Sequence, residues 1–275
     1  MQANRPVVAI TGAGSGIGRA TALALARRGA RLALGDLDVL AAEAVVGECR
    51  IAGADRAVAV RVDVGDEAAF SDFIDAAEAE LGPLDVLVNN AGVLWVGSFS
   101  DEPAEWIERQ IRVNLIGCIN GTRQAARRMG PRRRGHIVTV ASAASLLAPA
   151  GEATYTATKH GIYGYLKSVR RELRRSGITV SVVMPAVVDT PLAAGTSAGG
   201  TSLLTPERIA DAIVGVMRRP RFEVVVPRTA AVLHAVQRAC PQFVRDALDS
   251  MLVPNQISSA DMSLRADYQK ASKKA

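Results

Sequence analysis

The stretch Val7-Val8-Ala9-Ile10-Thr11-Gly12-Ala13-Gly14-Ser15-Gly16-Ile17-Gly18 leaves little freedom in what this chain can become. An apolar, largely β-branched run breaks into four glycines and then passes into the helix formers Arg19-Ala20-Thr21-Ala22-Leu23-Ala24. A strand that turns on glycine into a helix gathers unpaired N–H groups and the positive end of a helix dipole at one point, which suits a diphosphate. A tight turn with no ligand would use glycine too, so the stretch must be weighed with the rest of the chain.

Periodicity supplies the next constraint. Strand-like segments at 7–11, 31–35, 57–62, 86–89, 136–141, 179–184 and 223–226 are mostly near-continuous runs of Val, Ile, Leu and Ala. Such runs are the pattern of parallel strands covered on both faces. Helical patterns at 16–28, 39–52, 67–81, 103–129, 153–176 and 206–218 lie between them. The alternation predicts an α/β fold, a Rossmann-type doubly wound parallel sheet of seven strands flanked by helices. Gly29, Gly82-Pro83 and Ser176-Gly177 read as helix ends, and Thr205-Pro206-Glu207 as a helix start. One domain is expected. Residues 1–228 would bind a dinucleotide and carry the chemistry, and 229–275 would add a helical extension with a disordered basic end at Lys270, Lys273 and Lys274.

With 275 residues, 49% apolar and 22% charged, the chain can bury a large core and has the balance of an ordinary globular protein. Its opening shows no basic-then-apolar segment, and no apolar run is long enough to span a bilayer. The three cysteines, Cys49, Cys118 and Cys240, are scattered without metal-ligand spacing, so no metal is expected and a reducing cytoplasm is the plain reading. A net charge of +6 invites nucleic acid as a partner. The arginines concerned (Arg127, Arg128, Arg132, Arg133 and Arg134) have no interleaved aromatics and fall where a helix should end, so a solvated helix end is preferred.

Asp36 ends the second strand, 24 residues after Gly12. A carboxylate there can accept hydrogen bonds from adenosine ribose hydroxyls and would repel a 2′-phosphate, so NAD is expected over NADP. Asp38 reads as a helix N-cap. Asp63 reads either as a contact to adenine or as a turn aspartate.

The glycines Gly12, Gly16 and Gly18 give T-G-x-x-x-G-x-G, longer than the general dinucleotide fingerprint. This turn resembles that of the short-chain dehydrogenase/reductase family in its classical form. The likeness extends through Asn89-Asn90-Ala91-Gly92, Asn114, Ser142, the pair Tyr155 and Lys159 spaced Y-x-x-x-K, and Pro185-Ala186-Val187-Val188-Asp189-Thr190, covering roughly residues 5 to 228. The resemblance implies cofactor contacts from Gly12, Ser15, Gly16, Ile17, Gly18, Asp36, Asp63, Val64, Asn90, Ala91, Gly92, Tyr155, Lys159, Pro185, Val188 and Thr190. It implies a substrate pocket near Leu94, Trp95, Leu146, Leu147, Val187 and Leu192, with Ser142 and Tyr155. It also implies a homodimer or homotetramer associating through the helices that hold Asn114 and Tyr155.

Lys159 follows Tyr155 by one helical turn, so the two side chains share a face. An unperturbed phenol, with a pKa of about 10, is a poor base at neutral pH, and a neighbouring ammonium favours the phenolate. Tyr155 would then exchange a proton with an alcohol or ketone while hydride passes to or from a nicotinamide. Ser142 would hold the substrate oxygen. By resemblance, Lys159 also holds the nicotinamide ribose, and Asn114 positions a water that links Lys159 to solvent.

His136, His160 and His234 lack metal-spaced partners and are assigned to surface or packing. Ala186 stands where the family has glycine, so altered loop geometry is expected. Residues 192–204, rich in small residues, read as a mobile lid over the substrate. The predicted pocket walls are apolar with no arginine among them, which points to an uncharged, fairly hydrophobic alcohol or ketone. Segments 230–239 and 243–252 are compatible with short helices, serving as a pocket cap, a subunit contact or, last in rank, a membrane-surface element. Two other classes were weighed: a redox sensor on the same fold without turnover, which has little need of the Asn-Ser-Tyr-Lys set, and a nucleotide-using epimerase or dehydratase, for which the tail is short.

Overall fold

The protein was analysed as a computed structural model describing residues 5–199, 202–229, 231 and 240–274. Its strands are β1 Val7–Thr11, β2 Arg31–Asp36, β3 Arg56–Arg61, β4 Val86–Asn89, β5 Gly135–Val140, β6 Ile178–Pro185 and β7 Glu223–Val226. All pair in parallel in the order β3-β2-β1-β4-β5-β6-β7. The expected doubly wound sheet is therefore the observed one. The chain reverses its winding between β1 and β4, where loops leaving neighbouring strands diverge and open a crevice.

Alternation along β1 shows how the sheet is covered. Val8 and Ile10 join one apolar layer with Leu25 of α1 (Gly16–Ala26), Val45 of α2 (Val39–Ala52) and Ile213 of the helix Pro206–Arg218. Val7 and Ala9 point the other way, against Phe70 and Phe73 of α3 (Glu67–Leu81) and against Ala125 and Met129. Period-two side chains on a strand thus bind both helical layers at once. Asp38, Asp66 and Thr205 cap their helices by accepting from the N–H groups of Ala41, Ala69 and Arg208.

The long helix predicted over 103–129 is interrupted. It forms α4 (Ala104–Gln110), a π-helical turn at Ile111–Ile116 and α5 (Gly117–Met129). The widened turn contains Asn114, and such insertions re-aim side chains that a regular helix would hold elsewhere. The helix over 153–176 ends earlier, as α6 (Ala153–Glu172) with one tighter turn at Leu173–Arg175. Helix α7 is Pro206–Arg218, and α8, α9 and α10 follow at Gln242–Leu252, Gln256–Ser259 and Met262–Lys274.

Two expectations are corrected. The basic end is helical rather than disordered: Asp261 accepts from the N–H groups of Ser263 and Leu264 to start α10, and Arg265 anchors it inside the molecule. Ala186 carries no strain, because among the described residues Arg133 alone has a positive φ without being glycine. Its N–H instead donates to the Val226 carbonyl at 2.8 Å and extends the β6–β7 pairing. The arginines after α5 form the solvated helix end that was expected, most of them exposed, with surface ion pairs from Arg127 to Glu67, Arg128 to Asp75 and Glu78, and Arg134 to Asp85. The segment 230–239 falls, apart from Ala231, outside the described residues, and so does His234.

Gly18 is fixed by contact rather than by dihedral. A Cβ there would collide with the Gly12 carbonyl oxygen and would stand 2.7 Å from the Asn90 amide nitrogen. Gly18→Ala is expected to destabilise the fold by about 1–3 kcal/mol, the usual range for overpacking. Thermal melting measures it, and a wild-type melting temperature would show that the turn relaxes freely.

Candidate active site

The glycine turn is held open from below by β4. Thr11 Oγ1 accepts from the N–H groups of Asn90 and Ala91 at 3.1 and 3.2 Å, and the Asn90 amide donates to the Thr11 and Gly12 carbonyls at 2.9 and 3.0 Å. Gly12 adopts φ +63°, and a Cβ on it would lie 2.8 Å from the Ala91 backbone. Ser15 stands at the N-cap of α1 but makes no side-chain cap. The first N–H groups of α1 therefore face the crevice without a capping oxygen.

That crevice is a cavity of about 880 Å³ running across the carboxyl ends of the strands. At one end it is walled by Gly12, Ser15, Gly16 and Ile17, then by Asp36, Asp63 and Val64 at the ends of β2 and β3. Asn90, Ala91 and Gly92 form its floor, with Pro185, Val188 and Thr190 opposite. Asp36 Oδ2 accepts from Gly14 N–H at 2.8 Å and Oδ1 from Asp38 N–H at 3.1 Å, which orients the carboxylate at the cavity edge. Asp63 does act in its turn, accepting from Gly65 N–H at 2.9 Å, and also pairs with Arg112.

At the other end Ser142, Tyr155 and Lys159 converge with Leu94, Leu147, Val187 and Leu192. Ser142 follows β5, accepts from Ala144 N–H at 3.1 Å, and hydrogen-bonds the Tyr155 phenol. Asn114 lies behind this group. Its Oδ1 accepts from Val93 N–H at 2.8 Å, while its amide donates to the Val93 carbonyl at 2.9 Å and to Thr158 Oγ1 at 3.2 Å. Thr158 donates in turn to the Tyr155 carbonyl at 2.7 Å, so the π-helical turn braces the start of α6.

Burial dominates the electrostatics here. It pushes the Tyr155 phenol well above its ordinary value, and the nearby Glu152 carboxyl adds to the rise, while the Ser142 hydrogen bond works against it. The lowering expected from Lys159 is not seen. Its ammonium stands over the face of the Tyr155 ring, 5.3 Å from the centroid, and is itself pushed down to about 8 by burial. His136, packed under the sheet with Nε2 2.9 Å from Ser181 Oγ, is pushed down to about 4 by burial, consistent with packing rather than chemistry.

Four residues named from the sequence lie off the cavity wall. Gly18 is beneath the turn. Asn114 borders a separate small pocket with Lys159. Trp95 is buried with its ring against Gly97, and Leu146 turns to the apolar cluster of Ile162, Val180 and Val182. Trp95 and Leu146 are therefore corrected from pocket to core. The wall also contains charged groups that the sequence reading lacked: Arg109 from α4, Arg208 from α7, and Glu152 one turn before Tyr155. The spacing of Glu152 and Tyr155 was readable in advance; the approach of α4 and α7 was not.

The C-terminal extension closes this end. Leu252, Val253, Pro254, Gln256 and Tyr268 line the cavity. Gln256 exchanges two hydrogen bonds with the Ser197 backbone, both 2.8 Å, and Asp261 N–H donates to the Gly195 carbonyl at 2.8 Å. Arg265, 0% exposed, donates to the carbonyls of Leu192 at 2.7 Å, Ala194 at 3.1 Å and Leu94 at 2.6 Å. The segment after β6 is thus pinned from above rather than free-standing. Of the three readings of the extension, the cap is the one this geometry displays.

The chain matches the short chain dehydrogenase family over residues 6–199. It is 34% identical over 260 residues to the probable oxidoreductase EphD of Mycobacterium tuberculosis, which covers 87% of this chain and 44% of EphD. The chain therefore spans less than half the length of that relative. It is 38% identical over 219 residues to cis-4-hydroxycyclohexanecarboxylate dehydrogenase of Sinomonas cyclohexanicum, covering 75% and 87% of the two chains. A short chain dehydrogenase/reductase of Burkholderia phymatum, solved in complex with NAD, superposes with a TM-score of 0.79 at 28% identity, covering 87% of this chain and 95% of that one. Fold, turn, tyrosine–lysine helix and these likenesses agree, and the chain belongs to the short-chain dehydrogenase family of oxidoreductases.

Proposed function

We propose that the protein interconverts a secondary alcohol and a ketone with a nicotinamide dinucleotide, NAD in preference to NADP, and with Tyr155 as the proton-transferring group. The observation that carries this reading is the convergence of Ser142, Tyr155 and Lys159 on the cavity that the glycine turn enters. The residues present fit the cofactor: the uncapped start of α1 suits a diphosphate, and Gly12 lets it approach the backbone closely. The Asp36 carboxylate suits the two ribose hydroxyls of the adenosine half and disfavours a phosphate there. When bound, the nicotinamide supplies or accepts the hydride at the substrate carbon.

Tyr155 then moves the proton. Its phenol, raised by burial, is suited to donate to a carbonyl oxygen in ketone reduction and to recover the proton in alcohol oxidation. Ser142 holds that oxygen beside the phenol, and Lys159 supports proton return to it. The pocket shared by Asn114 and Lys159, about 10 Å³, is close to the size one water requires, which supports a relay toward Lys159. A ring alcohol is the favoured substrate class, because the Sinomonas relative is named for a cyclohexane ring alcohol and because Leu94, Leu147, Val187 and Leu192 supply apolar walls. The partly exposed Ile111 and Ile116 beside Asn114 support association of copies through these helices, and buried Cys49 and Cys118 suit a reducing compartment such as the cytoplasm.

The direct test is NADH and NADPH consumption against a panel of cyclic ketones. Asp36→Asn, which keeps an acceptor for Gly14 N–H, is expected to raise the KM for NADH about tenfold and to narrow the preference over NADPH, as loss of a charge-assisted bond would. A wild-type enzyme that already prefers NADPH would sink the cofactor assignment.

A further inference from the structure

Glu152 is a largely buried residue whose carboxyl lines the cavity without a bonded partner in the fold. It is 7% exposed and lines the cavity one helical turn before Tyr155. It occupies the N-cap position of α6, yet its side chain makes no cap. Among the described residues its carboxylate has no hydrogen-bond or salt-bridge partner within bonding distance; its backbone carbonyl alone is engaged, accepting from Thr156 N–H. A carboxyl that lines a cavity with no bonded partner in the fold is free to accept a hydrogen bond from what enters the cavity.

Its neighbours restrict what that is. Glu152, at the N-cap of α6, lines the same cavity as Tyr155 and is close enough to act on its phenol, so it faces a part of the substrate near the reacting carbon. Arg265 from α10 acts on its charge, it acts in turn on the Tyr155 phenol together with Tyr268 from α10, and Lys159 and Arg109 line the same cavity. Arg265 already offsets the charge of this carboxyl, so a substrate cation would gain little there, and an anion would meet Glu152 itself. A neutral donor fits. The other two carboxylates of the cavity, Asp36 and Asp63, sit at the far end and leave Glu152 alone in this part of the wall.

We propose that Glu152 determines substrate choice by accepting a hydrogen bond from a second hydroxyl, carried by the substrate away from its reacting carbon. The preferred substrate is then a hydroxyketone or the corresponding diol, not a simple hydrophobic alcohol. Glu152, pushed up to about 7 by burial, also exists partly protonated near neutrality, and in that form it can donate to a second carbonyl. The inference rests on the dehydrogenase reading for the identity of the reacting carbon, and the test separates the two.

The enzyme–NADH complex is titrated with 4-hydroxycyclohexanone and with cyclohexanone, following nicotinamide fluorescence, and NADH consumption is measured with the same pair. Wild type should bind the hydroxyketone about tenfold or more tightly than cyclohexanone, as a built polar contact discriminates against an analogue lacking its partner. Glu152→Met should weaken the hydroxyketone selectively and erase that difference, and Glu152→Gln, which keeps an acceptor oxygen, should retain part of it. Equal binding of both ketones by wild type, or equal weakening of both by Glu152→Met, overturns the proposal. Tighter binding of 4-aminocyclohexanone than of the hydroxyketone overturns it as well, since the carboxylate would then be an ion-pair partner. Discrimination without NADH consumption keeps the Glu152 assignment and removes the dehydrogenase reading. Consumption at equal kcat/KM for both ketones in wild type and variant does the reverse.

Discussion

Replacing Tyr155 with phenylalanine is expected to lower turnover about 10³-fold, within the range that a positioned proton donor contributes. The change removes one oxygen and nothing else of weight. The ring keeps its place among Leu94, Val96 and Ala144, and Lys159 keeps a ring face to stand over. Because the phenol is buried, its loss removes a group that is costly to desolvate, so the fold should be as stable as wild type or slightly more so. NADH binding should stay within about twofold, since the diphosphate and adenosine contacts lie elsewhere and Lys159 is kept. The measurement is ketone reduction at saturating NADH beside a fluorescence titration of NADH alone. Retention of more than about one-tenth of turnover would take the proton-transfer role from Tyr155.

The second large effect concerns Arg265. Its guanidinium is fully buried and bridges three carbonyls, two from the segment after β6 and one from the loop after β4. Arg265→Met keeps the length of the stem and leaves those carbonyls without donors. Bonds from charged donors are worth about 1.5–3 kcal/mol each and do not add fully, so a loss near 3 kcal/mol is expected. The pocket roof would loosen at the same time, and the KM for the ketone should rise about tenfold while NADH affinity holds. Arg265→Lys should fall between, because an ammonium retains charge but lacks the fork that reaches three acceptors. Melting temperature and steady-state kinetics read the two effects separately. If neither moves with Arg265→Met, the extension is not a structural part of the pocket.

What was legible in the sequence was what local chemistry controls. The strand runs, the glycine turn and the caps at Asp38 and Thr205 are read over a few residues, and the observed elements begin and end within a few residues of expectation. The glycines, Asp36, Ser142, Tyr155 and Lys159 come together because parallel strands deliver their carboxyl ends to one edge, a rule that follows from the winding alone. The failures are of long range. Trp95 and Leu146 sit beside pocket residues in sequence, but whether a loop side chain faces the cavity or the core depends on partners such as Gln110 and Val180 from elsewhere in the chain. The rise in the Tyr155 pKa was missed because a helical wheel shows which residues neighbour each other and not how much water they have lost. Nothing local in the sequence marks Arg265 for burial. Only the three carbonyls it meets, none within 70 residues of it, explain why an arginine is buried there.

The bond from Arg265 to Leu94 joins groups 171 residues apart. During synthesis, therefore, the phosphate-binding turn and the strands that carry it emerge long before the roof of the reaction chamber exists. The cofactor site is complete early, and only the roof of the substrate chamber is added late. Exchange of the last forty residues for those of another chain with the same sheet should redirect what the chamber admits while leaving intact the machinery that handles the dinucleotide. For the same reason, a truncated product made when translation stops early would have a phosphate site and no chamber.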